Sequence, residues 1–274
     1  MTESKTSFVE KNLFSEALEF CRQDIRTKDP DRYFSTLFAP PNIRSGLWTL
    51  YAFNAEIASI RESVSEPMIG QIKLQWWRDA ILNINISGNK THYLQLTILD
   101  LINKFNLPIS ELISLIDVRE SDLEESPPAD LEALYTYAEN TAGKLAELVF
   151  RILCPEKTKN KELAVNLGTA WGLTGLVKAA PYHLKQGKNF FPNMPYTTEP
   201  YIDGAETISS VLDYALDLIK ISIHYKYRPL SVLVPLIHHD INILRDLIGT
   251  KTEFPSRKTL RRQWLMCKRA WLNI

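Results

Sequence analysis

The stretch Asp31–Ile81, DRYFSTLFAPPNIRSGLWTLYAFNAEIASIRESVSEPMIGQIKLQWWRDAI, decides the fold. After Pro40-Pro41, apolar side chains return at helical spacing as Ile43, Leu47, Leu50, Tyr51 and Ile57, with Asn54 on the same stripe. Proline is tolerated in the first helical turn, where no amide donor is needed, so a helix should open at Pro40-Pro41 and run to about Ser65. Pro67 then begins another helix, MIGQIKLQWWRDAIL, with a stop expected around Ser87-Gly88-Asn89.

Working outward, the same periodicity predicts a helix over Phe8–Ile25, with Leu13, Ala17, Phe20 and Cys21 on its inner stripe and Asp29-Pro30 as its break. Helices are expected over His92–Phe105 and Pro108–Arg119, followed by an acidic surface connection from Glu120 to Asp130. One long helix should span Leu131–Leu153, and another Leu163 to about Ala180, stopped at Pro181. Gln186–Gly204 is the longest loop candidate. Helices over Ala205–Tyr227, Ser231–Ile248 and Ser256–Leu272 complete the chain. No strand-like alternation persists. The expectation is an all-α fold, a single-domain helical bundle over residues 1–274.

Bulk properties exclude several classes. The 274 residues are 45% hydrophobic and 23% charged, a globular balance with enough chain to bury a core unaided. Net charge is zero and no nucleic-acid recognition motif is present, so no nucleic-acid partner is expected. Three cysteines, Cys21, Cys154 and Cys267, lie too far apart in sequence to pair as metal ligands, and they suit a reducing compartment. Neither a signal-peptide core nor a membrane-length apolar run is seen. A cytoplasmic protein, possibly membrane-associated, is the expectation.

Several ordered motifs resemble the squalene/phytoene synthase family. Arg44, Tyr51, Ala52 and Phe53 are similar to its Arg–x–small–Tyr–Ala–Phe helix, and Trp77, Arg78 and Asp79 to its Trp-Arg-Asp/Glu signature. Tyr137-Ala138 with Ala142-Gly143, then Gly168 and Ala170, then Gly187-Lys188 with Phe190-Phe191-Pro192, follow in the family's order. The resemblance implies an isoprenoid-synthase-like bundle around a central cavity, and prenyl transfer from an allylic diphosphate whose charge is neutralised by Mg²⁺ held on two aspartate-bearing helices. Those motifs fall here on Ala58-Ser59-Ile60-Arg61-Glu62 and Ala179-Ala180-Pro181-Tyr182-His183, where Glu62 alone keeps a carboxylate. Asp31-Arg32-Tyr33 stands at the family's diphosphate-contacting serines, where an acid repels diphosphate unless paired.

A second resemblance rests on Phe53-Asn54-x-Glu56-x-Ala58, Val64-Ser65-Glu66-Pro67 and Gly70. It is to the family's divergent alphaproteobacterial and mitochondrial branch, whose mitochondrial member is regarded as an assembly factor for respiratory complex I. This implies a non-catalytic scaffold or lipid-binding protein without a metal or other cofactor, acting on a protein partner or a lipid-like, isoprenoid ligand. The alternative is an active prenyltransferase with an unorthodox Mg²⁺ site, for which Glu62, Glu56, Arg44 and Arg78 are indispensable. A third reading is an interaction module whose cavity has filled in.

Candidate ligand-binding residues are Arg44, Tyr51, Asn54, Arg78 and Tyr137. Glu56 and Asn54 either line the cavity or make interhelical hydrogen bonds. Arg78 either binds an anion or pairs with Glu56 or Glu62. Asp117, Glu120 and Glu124 have the spacing of a metal face but read better as a solvated helix end, and His238-His239 diverge too far around a helix to chelate together. From Arg257 to Trp271 the last helix carries Lys258, Arg261, Arg262, Lys268 and Arg269, with Leu260, Trp264, Cys267 and Trp271 at helical spacing. It either docks this apolar side on the bundle or lies on an anionic membrane.

Overall fold

The computed structural model describes residues 2–84, 92–156, 160–220, 228–255 and 259–272; of residues 2–11 and 272 it describes the backbone only. Among them every regular element is helical. Helix α1 spans Thr2–Lys28, α2 Pro30–Thr36, α3 Pro41–Ala58 and α4 Pro67–Leu82. Helix α5 spans Tyr93–Phe105, α6 Ile109–Asp117, α7 Leu131–Ala138 and α8 Lys144–Leu153. Helix α9 spans Lys161–Lys185 and α11 Ala205–Ile219, with the single turn α10, Pro200–Asp203, between them. The turn α12, Arg228–Ser231, then leads to α13, Val234–Leu247, and α14, Thr259–Leu272. The expected stop at Ser87-Gly88-Asn89, the end of the helix expected to reach Tyr227, and Arg257-Lys258 lie outside the described residues.

Local chemistry sets most boundaries. Asp29 accepts the Arg32 amide at 3.0 Å and so caps α2 directly after the α1 break. His92 caps α5: its Nδ1 accepts the Leu94 amide at 3.3 Å, while Gln95 Oε1 accepts the His92 amide at 3.1 Å. Asn106 ends α5 in the left-handed region, φ 49°. Asp130 caps α7 through the Ala133 amide at 2.8 Å.

Four expectations are corrected. The inner stripe of α1 is Ala17, Cys21 and Ile25, whereas Leu13 and Phe20 face outward, Phe20 against Tyr93. Helix α3 stops at Ala58, and a 3₁₀ turn, Arg61–Ser63, follows. Leu131–Leu153 is helical throughout but widens into a π turn at Glu139–Gly143. There α9 approaches so closely that a side chain at Gly168 would lie 2.3 Å from the Ala142 carbonyl oxygen. Helix α9 does not end at Pro181 but continues to Lys185. A proline there withholds the N–H owed to the Val177 carbonyl, and the buried Tyr201 hydroxyl donates to that oxygen instead, at 3.3 Å.

The main core runs from α1 through α13, with Phe53, Phe150 and Phe191 among its largest fully buried side chains. A smaller cluster, Val232, Leu233, Leu236, Met266 and Ala270, seats α14. Helix α14 therefore docks on the bundle, but by a different side from the one expected. Arg262 is 5% exposed, while Trp264 and Trp271 face out. The Arg262 guanidinium donates to Asp31 on α2 at 2.9 Å and to both oxygens of Asp240 on α13, which also pairs with Lys178 at 2.8 Å. Among the described residues no helix is long and apolar enough to cross a membrane.

Candidate functional site

A cavity of about 460 Å³ lies toward α13 and α14, lined by Asp31, Trp171, Lys178, Asp240 and Arg262 among others. Beside it, among α3, the π turn, α9 and the segment after α6, are two compartments of about 190 and 280 Å³. Arg119, Tyr137, Leu176 and His183 border both. Arg119 is the hub. Its Nη1 donates to Asp122 Oδ2 at 3.3 Å and to the Tyr137 hydroxyl at 3.1 Å, and its Nη2 to Asn54 Oδ1 at 3.3 Å. Its Nε is buried without a hydrogen-bond partner among the described residues. Tyr137 in turn donates to Asp122 Oδ1 at 2.6 Å. Burial, and then the Asp122 carboxylate, push the Tyr137 phenol well above its usual range, so it stays a neutral donor.

The stretch expected to be an exposed acidic connection, residues 120–130, supplies Asp122 to this network. After α6 the chain forms a 3₁₀ helix, Val118–Leu123, which turns Asp122 and Leu123 inward. Lys188 holds it there, donating to the Ser121 and Glu124 carbonyls at 3.0 and 2.6 Å; burial holds its amine below the usual lysine range. Asn189, 1% exposed, braces the neighbouring loop by donating to the Met194 carbonyl and accepting the Phe191 amide.

The other candidates separate. Tyr51 is buried beneath the Arg32 guanidinium, which stands 5.5 Å from its ring and 5.7 Å from that of Trp171; burial pushes its phenol up to about 12. Arg32 borders the smaller of the two compartments, whereas Asp31 turns into its ion pair with Arg262 and lines the cavity of about 460 Å³ instead. Arg44 points elsewhere: its guanidinium donates to the Ala39 and Leu37 carbonyls, each at 2.9 Å, and closes the turn after α2. Arg78 pairs with Asp117 at 2.6 Å and with Glu120 on the outer side, not with Glu56 or Glu62. That pairing also accounts for two of the three acids with metal-face spacing. Glu56 is half-buried and acts on His92 and Tyr93 at the start of α5.

Glu62 is exposed at the cavity mouth, where it accepts the Tyr182 hydroxyl at 3.3 Å. Arg61 lines the same compartment, and burial lowers the pKa of the nearby His183 imidazole, favouring its neutral form. These residues do not fit a magnesium ion. Mg²⁺ calls for converging carboxylate oxygens, and here Glu62 stands with Arg61 while Asp122 is already bonded to Arg119 and Tyr137. Among the described residues no three His, Cys, Asp or Glu side chains converge as a metal set.

Arg119 and Asp122 were the residues hardest to find from sequence. Their i,i+3 spacing marks an ion pair, but nothing local says that the turn carrying them faces inward. Lys188 stood in plain view within the Gly187–Pro192 motif.

An all-helical chain folded around a central cavity of this kind has the architecture of the isoprenoid synthases. A solved dehydrosqualene synthase superposes with a TM-score of 0.78, covering 96% of this chain and 99% of that one at 13% identity, which speaks for the fold alone. Residues 25–197 match the squalene/phytoene synthase family, and the chain belongs to it. Among curated relatives, NADH dehydrogenase (ubiquinone) complex I assembly factor 6 of Bos taurus is 32% identical over 174 residues, 63% of this chain and 52% of that protein. A chloroplastic phytoene synthase of an Oncidium hybrid cultivar is 23% identical over 186 residues, 66% of this chain and 45% of that protein. The chain thus spans about half the length of the curated relatives it matches.

Proposed function

We propose that this chain is a non-catalytic member of the squalene/phytoene synthase family that acts as an assembly factor on a protein partner, with respiratory complex I as the candidate client. The observation that carries this reading is the Arg119–Asp122–Tyr137–Asn54 network across the cavity. A prenyl synthase needs cations free to meet a diphosphate and an apolar chamber for the hydrocarbon. Here Arg119 is bonded to Asp122, Tyr137 and Asn54, and Lys188 to two carbonyls. The two compartments around this network are each smaller than the roughly 300–1,000 Å³ of common ligand pockets, and the cavity of about 460 Å³ toward α14 is lined by the Asp31, Asp240 and Arg262 ion pairs.

The likeness to complex I assembly factors supports the client, and the single carboxylate left across both motif positions supports the loss of metal-assisted ionisation. A protein partner is favoured over a lipid-like ligand because charged side chains line each of the cavities, Arg119 with Asp122 and Lys188 in one part and Asp31, Asp240 and Arg262 in another. The test is complementation. In cells lacking their own assembly-factor relative, this chain should restore assembled complex I on native gels, and Glu62→Ala should restore it equally. Failure of the wild-type chain would refute the client, and loss confined to Glu62→Ala would point to retained chemistry.

A further inference from the structure

The outer face of α14 plays no part in the network or the fold described above. The helix is seated by Arg262, Met266 and Ala270, which leaves Leu260, Trp264 and Trp271 exposed by 83, 59 and 86%. Steps of four and seven residues place these three side chains within roughly 40° of one another around the helix and along about 16 Å of its axis. Arg261 and Lys268, both exposed, occupy the adjoining flank of the same face. The Lys268 ammonium stands 5.3 Å from the Trp264 ring. From Phe254 to Ile274 the sequence holds six Lys or Arg residues and no Asp or Glu.

This combination selects its occupant. Two indoles and a leucine held largely in water are unfavourable for a helix that is already docked by its other side. Indoles favour the boundary between water and hydrocarbon, and long basic stems let their charges stay at headgroup level while the methylenes sink. The face is convex and its rings project outward, so it suits a deformable planar surface better than a complementary protein groove. Its uniform positive charge calls for a negative one.

We propose that the outer face of α14 binds the surface of an anionic phospholipid bilayer, the helix lying in the interface without crossing it. This stands independently of the assembly role, since it uses no residue of the cavity. The two acids bonded to Arg262 of α14, Asp31 and Asp240, are buried beneath it and do not offset the outer charge.

The experiment is cosedimentation of the purified full chain with vesicles of phosphatidylcholine alone or mixed with phosphatidylglycerol. Binding is expected to the mixed vesicles only and should weaken with salt. Trp264→Ala with Trp271→Ala should lower it by more than about tenfold. Arg261→Gln and Lys268→Gln should each lower it about fivefold. Circular dichroism confirms that each variant is folded, as expected for exposed positions. No binding of the folded wild-type chain to mixed vesicles would overturn the proposal, as would binding that all four substitutions leave unchanged. Tryptophan-dependent dimerisation in sedimentation velocity, without vesicle binding, would also overturn it and assign the face to a second copy.

Discussion

Pro181 sits inside a 25-residue helix, and the chain accommodates it through Tyr201. The carbonyl that Pro181 leaves without a partner belongs to Val177, a fully buried residue, and the Tyr201 hydroxyl reaches it at 3.3 Å and the Lys178 carbonyl at 3.5 Å. Burial pushes the Tyr201 phenol up to about 12, so the hydroxyl keeps its proton and donates. Tyr201→Phe should therefore lower stability by about 1–3 kcal/mol in urea denaturation, the cost of a buried acceptor left unmade. Pro181→Ala returns an N–H to Val177. In the double variant the loss should shrink, with a coupling of about 1 kcal/mol. Strictly additive losses would mean that the hydroxyl does not replace the missing bond.

Among the elements, α14 shows what pattern reading recovers and what it misses. Its amphipathic character was legible, because apolar and basic residues recur at helical spacing from Leu260 to Trp271, but that pattern suits docking on the bundle and lying on a membrane alike. Its orientation was not legible. Hydropathy ranks tryptophan as core and arginine as surface, yet Asp31 and Asp240 wait beneath α14, far away in sequence, and draw Arg262 inside. Removing that cation takes away the guanidinium that the two buried carboxylates share, with Lys178 remaining at Asp240. Arg262→Met is expected to cost about 3–5 kcal/mol and to make α14 the first segment released by limited proteolysis. A loss below about 1 kcal/mol, the value of an exposed pair, would show that the apolar seat at Met266 and Ala270 holds the helix alone.

The same limit explains the other differences. Prolines and apolar periodicity located the starts of α3 and α4 well, since both signals are local. The early end of α3 at Ala58, the π turn at Glu139–Gly143 and the inward turn at Asp122 are not local. The π turn lies where Gly168 admits Ala142, and the turn at Asp122 is held by Lys188, more than sixty residues on. Of the candidate ligand residues, Tyr137 and Asn54 meet in one network, whereas Arg44 and Arg78 serve as ties between segments.

For the whole molecule, family membership and a cavity joined across by its own side chains meet in one question, whether the fold still carries the family's reaction. Aspartate pairs are missing at both motif positions. Arg119 is balanced by Asp122 and Lys188 is held by carbonyls, while Arg32 and Arg61 also border the two compartments around them. The Arg119 network ties the elements around the interior to one another. The direct measurement is pyrophosphate release by the purified chain given farnesyl or geranylgeranyl diphosphate, with and without Mg²⁺, beside an active synthase. No release above a protein-free blank is expected in either condition, and Glu62→Ala should change nothing. Magnesium-dependent release that disappears in Glu62→Ala would contradict the non-catalytic assignment and show that one carboxylate at the cavity mouth suffices.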